Sequence, residues 1–170
     1  MGENMRITAK MNHELWGYYS GARLEELYGT EGTTPREVAE LKDGPWEDVP
    51  IKYRMRILWM VLVVKNQAGM RECLARMLER VLPTDCDSRG RAVIVALRGD
   101  SVTRNVVDAA YAAFADASDA YAAHMALMAA NSALAGRAAR AMSSAYAAAQ
   151  GLDSELQAQI KDILEFLEKM

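Results

Sequence analysis

The chain has 170 residues, 51% of them hydrophobic, with a net charge of −3 and two cysteines. A chain of this length buries roughly 70% of its unfolded surface on folding, enough for a core that needs neither metal nor disulfides. The longest apolar run, Ile57 to Val64, is far shorter than the roughly 20 residues that span a bilayer, which excludes a membrane span, and Cys73 and Cys86 as two isolated thiols fit a reducing compartment better than a disulfide framework, their pairing being left open.

Met1 to Lys10 is polar rather than a basic-then-apolar leader, and the expectation is a cytoplasmic protein with one helical domain over residues 1–170. From Met11 or Asn12, the residues Leu15, Tyr18, Tyr19, Ala22, Leu27 and Tyr28 recur at helical spacing, and the Gly29 to Gly32 stretch stops the helix they predict. Thr34-Pro35-Arg36-Glu37 reads as a capping box with proline at the first helical position. The threonine oxygen accepts an orphan N–H while the glutamate reaches back. A short helix to about Lys42 follows, ended by Gly44 and Pro45.

Asp48-Val49-Pro50 starts the next helix, with Tyr53, Ile57, Leu58, Met60, Val61 and Val64 facing inward. The β-branched run there also suits a strand, but no second strand is present to satisfy its backbone groups. Between Gly69 and Leu82, Met70, Cys73, Leu74, Met77, Leu78 and Val81 keep a helical period that Pro83 closes. Asp85 or Asp87 caps a further helix through Val93, Ile94 and Leu97 to Gly99.

About half of the residues from Asn105 to Gln150 are alanine, among which Tyr111, Phe114, Tyr121, Met125, Met128, Met142 and Tyr146 recur at intervals of three, four or seven. Alanine makes helix formation nearly free of intrinsic cost, and the large side chains form a seam that must dock on something. One straight helix over 102–150 would be about 70 Å long, well beyond the diameter of a domain this size. A break near 131–136 or 116–119 is therefore expected, giving an antiparallel hairpin. Ser154 and Gln157 read as a second capping box, after which Leu156, Ile160, Ile163, Leu164 and Leu167 line one face of a docked C-terminal helix. Each of those five is worth on the order of 1.5–3 kcal/mol when buried. The fold class expected is an all-α, compact bundle of about six to eight helices with an Ala-rich hairpin.

Charge is distributed unevenly along the chain. Residues 1–51 carry five Lys/Arg against ten Asp/Glu, residues 52–104 eleven against five, and residues 105–170 four against eight. Either the segments pack as neighbouring helices and neutralise one another, or Lys52, Arg54, Arg56, Arg71, Arg76 and Arg80 form a stripe that takes an anion, nucleic acid or an acidic protein. Nucleic acid ranks below a protein partner, because the stripe lacks aromatic or Gly-rich support.

No catalytic constellation, metal set or cofactor motif is legible. Cys73 lies in the middle of an apolar helical face, where a cysteine acts as a small core residue, and nothing local ties it to His124. His13 and His124 have no metal-ligand spacing with either cysteine. The 87–91 stretch has charge without the arrangement of a phosphate loop, and Arg98-Gly99-Asp100 reads as a helix C-cap followed by the next helix's cap rather than an adhesion motif. Met125, Met128 and Met142 suit either a core or a groove for a partner helix. Asp108, Asp116 and Asp119 share much of one face with Tyr111 and Tyr121 nearby, which suits either a solvated face or a patch for a basic partner.

Trp46-Glu47-Asp48, Leu58-Trp59, Cys73-Leu74-Ala75-Arg76, Glu79-Arg80-Val81-Leu82-Pro83, Arg91-Ala92, Leu97-Arg98-Gly99-Asp100 and Tyr111-Ala112-Ala113 occur in that order. Over residues 45–150 the chain thereby resembles an alanine-rich helical family of bacterial and bacteriophage genomes, some of whose members are described as immunity proteins of toxin systems. Residues 1–44 and the docking helix of 151–170 flank that stretch. The resemblance implies a non-enzymatic protein that occludes a toxin or host-defence protein through a helical face. It carries no catalytic motif. The acidic balance suits a basic target. Two other readings stay open: a homo-oligomeric helical module, and a small-ligand or nucleotide-binding protein that clamps phosphate with the central arginines.

Overall fold

A computed structural model of the chain describes residues 5–15, 21–40, 44–82, 88–99, 105–108, 110, 121–134, 140, 144–145, 147–149 and 153–170. The architecture is an all-α multi-helix bundle: α1 (Ala9–Leu15), α2 (Gly21–Tyr28), α3 (Pro35–Glu40), a 3-10 helix (Gly44–Trp46), α4 (Ile51–Lys65), α5 (Gln67–Val81), α6 (Ser88–Arg98), α7 (Tyr121–Leu134) and α8 (Asp153–Leu167). Among the described residues there is no strand. A single antiparallel bridge pairs Ile7 with Thr33, and Gly32 beside it has φ +79° and no room for a Cβ, which would meet the Ile7 carbonyl oxygen at 2.8 Å.

The centre of the bundle is α5, which packs against α4, α6, α7 and α8. Its period is the one read from the sequence: Met70, Cys73, Leu74, Met77 and Leu78 are buried. The preceding helix α4 is apolar around most of its circumference, so it sits inside the bundle with Met55, Trp59 and every residue from Ile57 to Val63 buried. Val64, expected to face inward, is half exposed, because α4 ends one residue later and Asn66 turns the chain into α5. The Asn66 side chain accepts from the Gly69 N–H at 2.8 Å and caps α5.

The capping box at the start of α3 forms as read: the Thr34 N–H donates to Glu37 at 2.8 Å, and the Glu37 N–H donates to the Thr34 hydroxyl at 3.3 Å. The second one does not, since α8 begins at Asp153 and places Ser154 inside the helix. The docking of α8 is as expected, with Ile160, Ile163, Leu164 and Leu167 buried and Leu156 half-buried against the core.

One longer helix read from the sequence is divided, while the Ala-rich region folds back as expected. The one expected from Met11 to Tyr28 is α1 and α2, brought together by a bond from the Asn12 amide to the Tyr28 hydroxyl at 2.5 Å. A continuous helix would hold those residues about 24 Å apart. Helical periodicity outweighed Gly17, Ser20 and Gly21 in that reading, though all three are weak helix formers. In the Ala-rich region, residues 105–108 are helical and the Asn131 amide of α7 donates to the Asp108 carboxylate at 2.7 Å. One straight helix would separate that pair by about 35 Å, so the chain doubles back between them. Both stretches in which the break was expected extend outside the described residues.

The small side chains of this region do what their size allows. Ala110, Ala123, Ala126, Ala129, Ala130, Ala145 and Ala148 are all fully buried, at helix faces where a larger residue would push the backbones apart.

Candidate functional site

The central arginines end on carboxylates of their own chain. Arg76 on α5 donates to Asp162 at 2.9 Å and Glu165 at 2.7 Å on α8, and to Glu72 one turn back at 3.2 Å. One turn further on, Arg80 grips Glu155 with two nitrogens at 2.6 and 3.1 Å and Asp162 with a third at 2.8 Å. From α6, Arg98 holds Glu72 and Glu79 with a pair of bonds each, between 2.6 and 3.1 Å. Gln159 fills the interior end, donating to the Glu155 carboxylate and the Ala145 carbonyl.

The protonation equilibria follow from these contacts. Hydrogen bonds from Arg76 and then Lys169 hold Glu165 down at about 2, and Arg98 holds Glu72 and Glu79 below the usual carboxylate range. Burial opposes the charge on Arg80, yet its bonds to Glu155 and Asp162 outweigh that cost and raise its pKa. Cys73 packs under this cluster. Burial and then the Asp162 carboxylate push its thiol well above the ordinary range, which favours the protonated form of this buried, free side chain.

The anion-binding stripe therefore does not exist as one surface. Arg76 and Arg80 are engaged by carboxylates, and Arg54 is buried, donating to the carbonyl oxygens of Val49 and Trp46 and so closing the turn into α4. Lys52 and Arg56 flank the Tyr53 ring at 5.0 and 5.4 Å on α4, while Arg71 lies half-buried on α5. Of the face proposed on the Ala-rich helix, Asp108 is exposed and bonded to Asn131. Tyr111, Asp116 and Asp119 lie outside the described residues, as does the Tyr121 side chain. The same holds for Cys86, for the His13 and His124 side chains and for Met142. Among the described residues no group of three His, Cys, Asp or Glu side chains is placed to hold a metal ion, and no helix is long and apolar enough to cross a membrane.

On the opposite flank of α8 the surface is concave. A groove of about 820 Å³ runs between α3, the start of α4 and α8. Its floor is apolar: Ala39, Val49, Ile51, Ile160 and Leu164. Arg36, Glu40, Gln157, Lys161, Glu165 and Glu168 make the rim, and Arg54 lies at its base. Arg36 spans the groove's end, bidentate to Glu168, just past α8, at 2.8 and 2.9 Å and bonded to Glu40 at 3.1 Å. Nothing local in the sequence marks this groove, whose walls are more than 100 residues apart in the chain. The one available signal was that Gln157, Lys161, Glu165 and Glu168 recur at helical spacing beside the apolar face of α8.

A second surface lies around the C-terminal end of α2. The Trp46 indole N–H donates to the Leu27 carbonyl at 2.8 Å and its ring meets Tyr28 edge-on at 5.2 Å, which seats the 3-10 helix on α2. Glu25, Glu31, Glu47 and Asp48 emerge exposed from α2 and from the turns that follow these two helices, and none makes an ion pair among the described residues. No protein-family model, curated protein sequence or solved structure matches the chain.

Proposed function

We propose that this chain is a non-enzymatic helical binding protein that occludes a basic surface of a protein partner, in the manner of the immunity or phage-encoded inhibitor proteins it resembles. One observation carries the reading. Arg76, Arg80 and Arg98 of the basic middle are held by carboxylates of the chain itself, whereas Glu25, Glu31, Glu47 and Asp48 in the acidic first third are exposed and make no ion pair among the described residues. Those four carboxylates present negative potential outward. Such a field steers and orients a cationic partner. Asp108 on the Ala-rich hairpin adds a further exposed carboxylate.

The test is capture from an extract of the host cell with the full chain and with a Glu25→Gln, Glu31→Gln, Glu47→Gln, Asp48→Asn variant of unchanged thermal melt. A basic protein retained by the first, released by salt and lost by the second supports the proposal. Capture that survives neutralisation of all four sinks it. Charge reversal at Asp108 asks separately whether the hairpin takes part.

A further inference from the structure

We infer that the groove between α3, α4 and α8 is the seat for an amphipathic helix of the partner, apolar on the face that enters and carrying lysine or arginine along the α3 edge. The inference rests on the acidic reading above and adds the site and the chemistry of its occupant.

Shape is the first argument. From α8 the groove takes Gln157, Ile160, Lys161, Leu164, Glu165 and Glu168, one side of three successive turns. That is a strip about 16 Å long, the length of an equal run of helix, and it suits a rod better than a compact small molecule. Ala39 and Ile51 are the part-exposed apolar residues of the floor, with Ile160, Leu164 and Val49 buried beneath, so the occupant's apolar face meets apolar atoms there.

Charge is the second. All three guanidinium nitrogens of Arg36 are engaged by Glu168 and Glu40, two carboxylates to one cation, and Arg54 is turned down onto backbone carbonyls. Neither meets an incoming anion. The carboxylates keep capacity, since an ionised carboxylate accepts about four hydrogen bonds and Glu40 has one from Arg36. Glu47 and Asp48, exposed and without an ion pair among the described residues, immediately precede Val49 of the floor in the chain. Lys161, the exposed rim cation with no ion pair among the described residues, stands on α8, so the occupant's cations belong on the α3 side.

The experiment titrates the full chain into a fluorescent synthetic helix of about 18 residues, leucine on one face and lysine on the other, and into its counterpart with glutamate for lysine. Two variants block the site by different means: Ala39→Phe fills the floor, and Glu40→Lys puts a cation on the α3 edge at a side chain that is 58% exposed. The lysine peptide is expected to bind the native chain and to weaken roughly ten-fold in either variant, as loss of an anchor pocket or an added like charge requires. The glutamate peptide is expected to bind at least ten-fold more weakly than the lysine peptide. Undiminished binding to Glu40→Lys, equal affinity for the two peptides, or no binding of the lysine peptide to the native chain overturns the inference. If the partner is still captured by the native chain and lost on neutralising the acidic surface, the groove alone has failed. If capture survives that neutralisation, the functional reading has failed with it.

Discussion

The two ends of this molecule use the same residue types to opposite effect. Along α5, α6 and α8, five carboxylates (Glu72, Glu79, Glu155, Asp162, Glu165) meet four cations (Arg76, Arg80, Arg98, Lys169) at bonding distance, and the charges act as cement between helices. Around the end of α2 and the 3-10 helix, Arg23 holds Glu26, but Glu25, Glu31, Glu47 and Asp48 make no ion pair among the described residues and remain a surface. What separates cement from surface is the neighbour: a guanidinium on the facing helix consumes a carboxylate, and without one the charge is left to a partner or to water. Charge totals along the sequence therefore say little until the packing is known.

The largest expected effect comes from opening the cement at its most buried point. The Glu155 side chain is 4% exposed, so Arg80→Ala leaves a buried carboxylate without its partner and should cost about 3 kcal/mol in urea unfolding. Adding Glu155→Leu to that variant should recover much of the loss; if it does not, the pair is not what seats α8. Gly69→Ala tests the same interface sterically. Its Cβ would sit 2.9 Å from the Phe166 Cβ and 2.8 Å from the Asn66 side-chain amide, and a loss of about 2 kcal/mol is expected from overpacking.

Acid should act on the cemented side more than on the open one. Glu165 is held near 2 against an ordinary value of 4.5, and Glu72 and Glu79 are also depressed. A carboxylate depressed in the folded state contributes stability that is complete above its unfolded pKa and is lost as pH falls through the folded one. The melting temperature should thus fall between about pH 4.5 and 2, with a shallower fall in Glu165→Gln. The smallest effect is expected at the open end: Glu47→Gln with Asp48→Asn should change stability by less than about 0.5 kcal/mol, because neither side chain is paired. A larger loss would mean that this surface is structural after all.

The helices themselves were largely legible. The α5 face was read correctly because it is amphipathic, and a 3.6-residue period is a local property of the chain. Thr34 and Glu37 formed their box because its partners lie three residues apart. Reading failed where the deciding partner was remote. Ser154 looked like a cap, yet α8 starts one residue earlier; Val64 looked internal, yet it sits where α4 ends. Arg76 and Arg80 looked like an anion site because Glu155, Asp162 and Glu165 lie 75 to 89 residues away in sequence.

By itself, then, the sequence determined an all-α chain, the apolar stripes of α5 and α8, and the need for the Ala-rich stretch to fold back, since helix propensity, periodicity and rod length all act over short separations. Only the tertiary structure decided which charges are spent and which are offered, and that α3, α4 and α8 leave a groove between them. Those outcomes depend on which helix faces which, and that is set by burying one shared core rather than by any local rule.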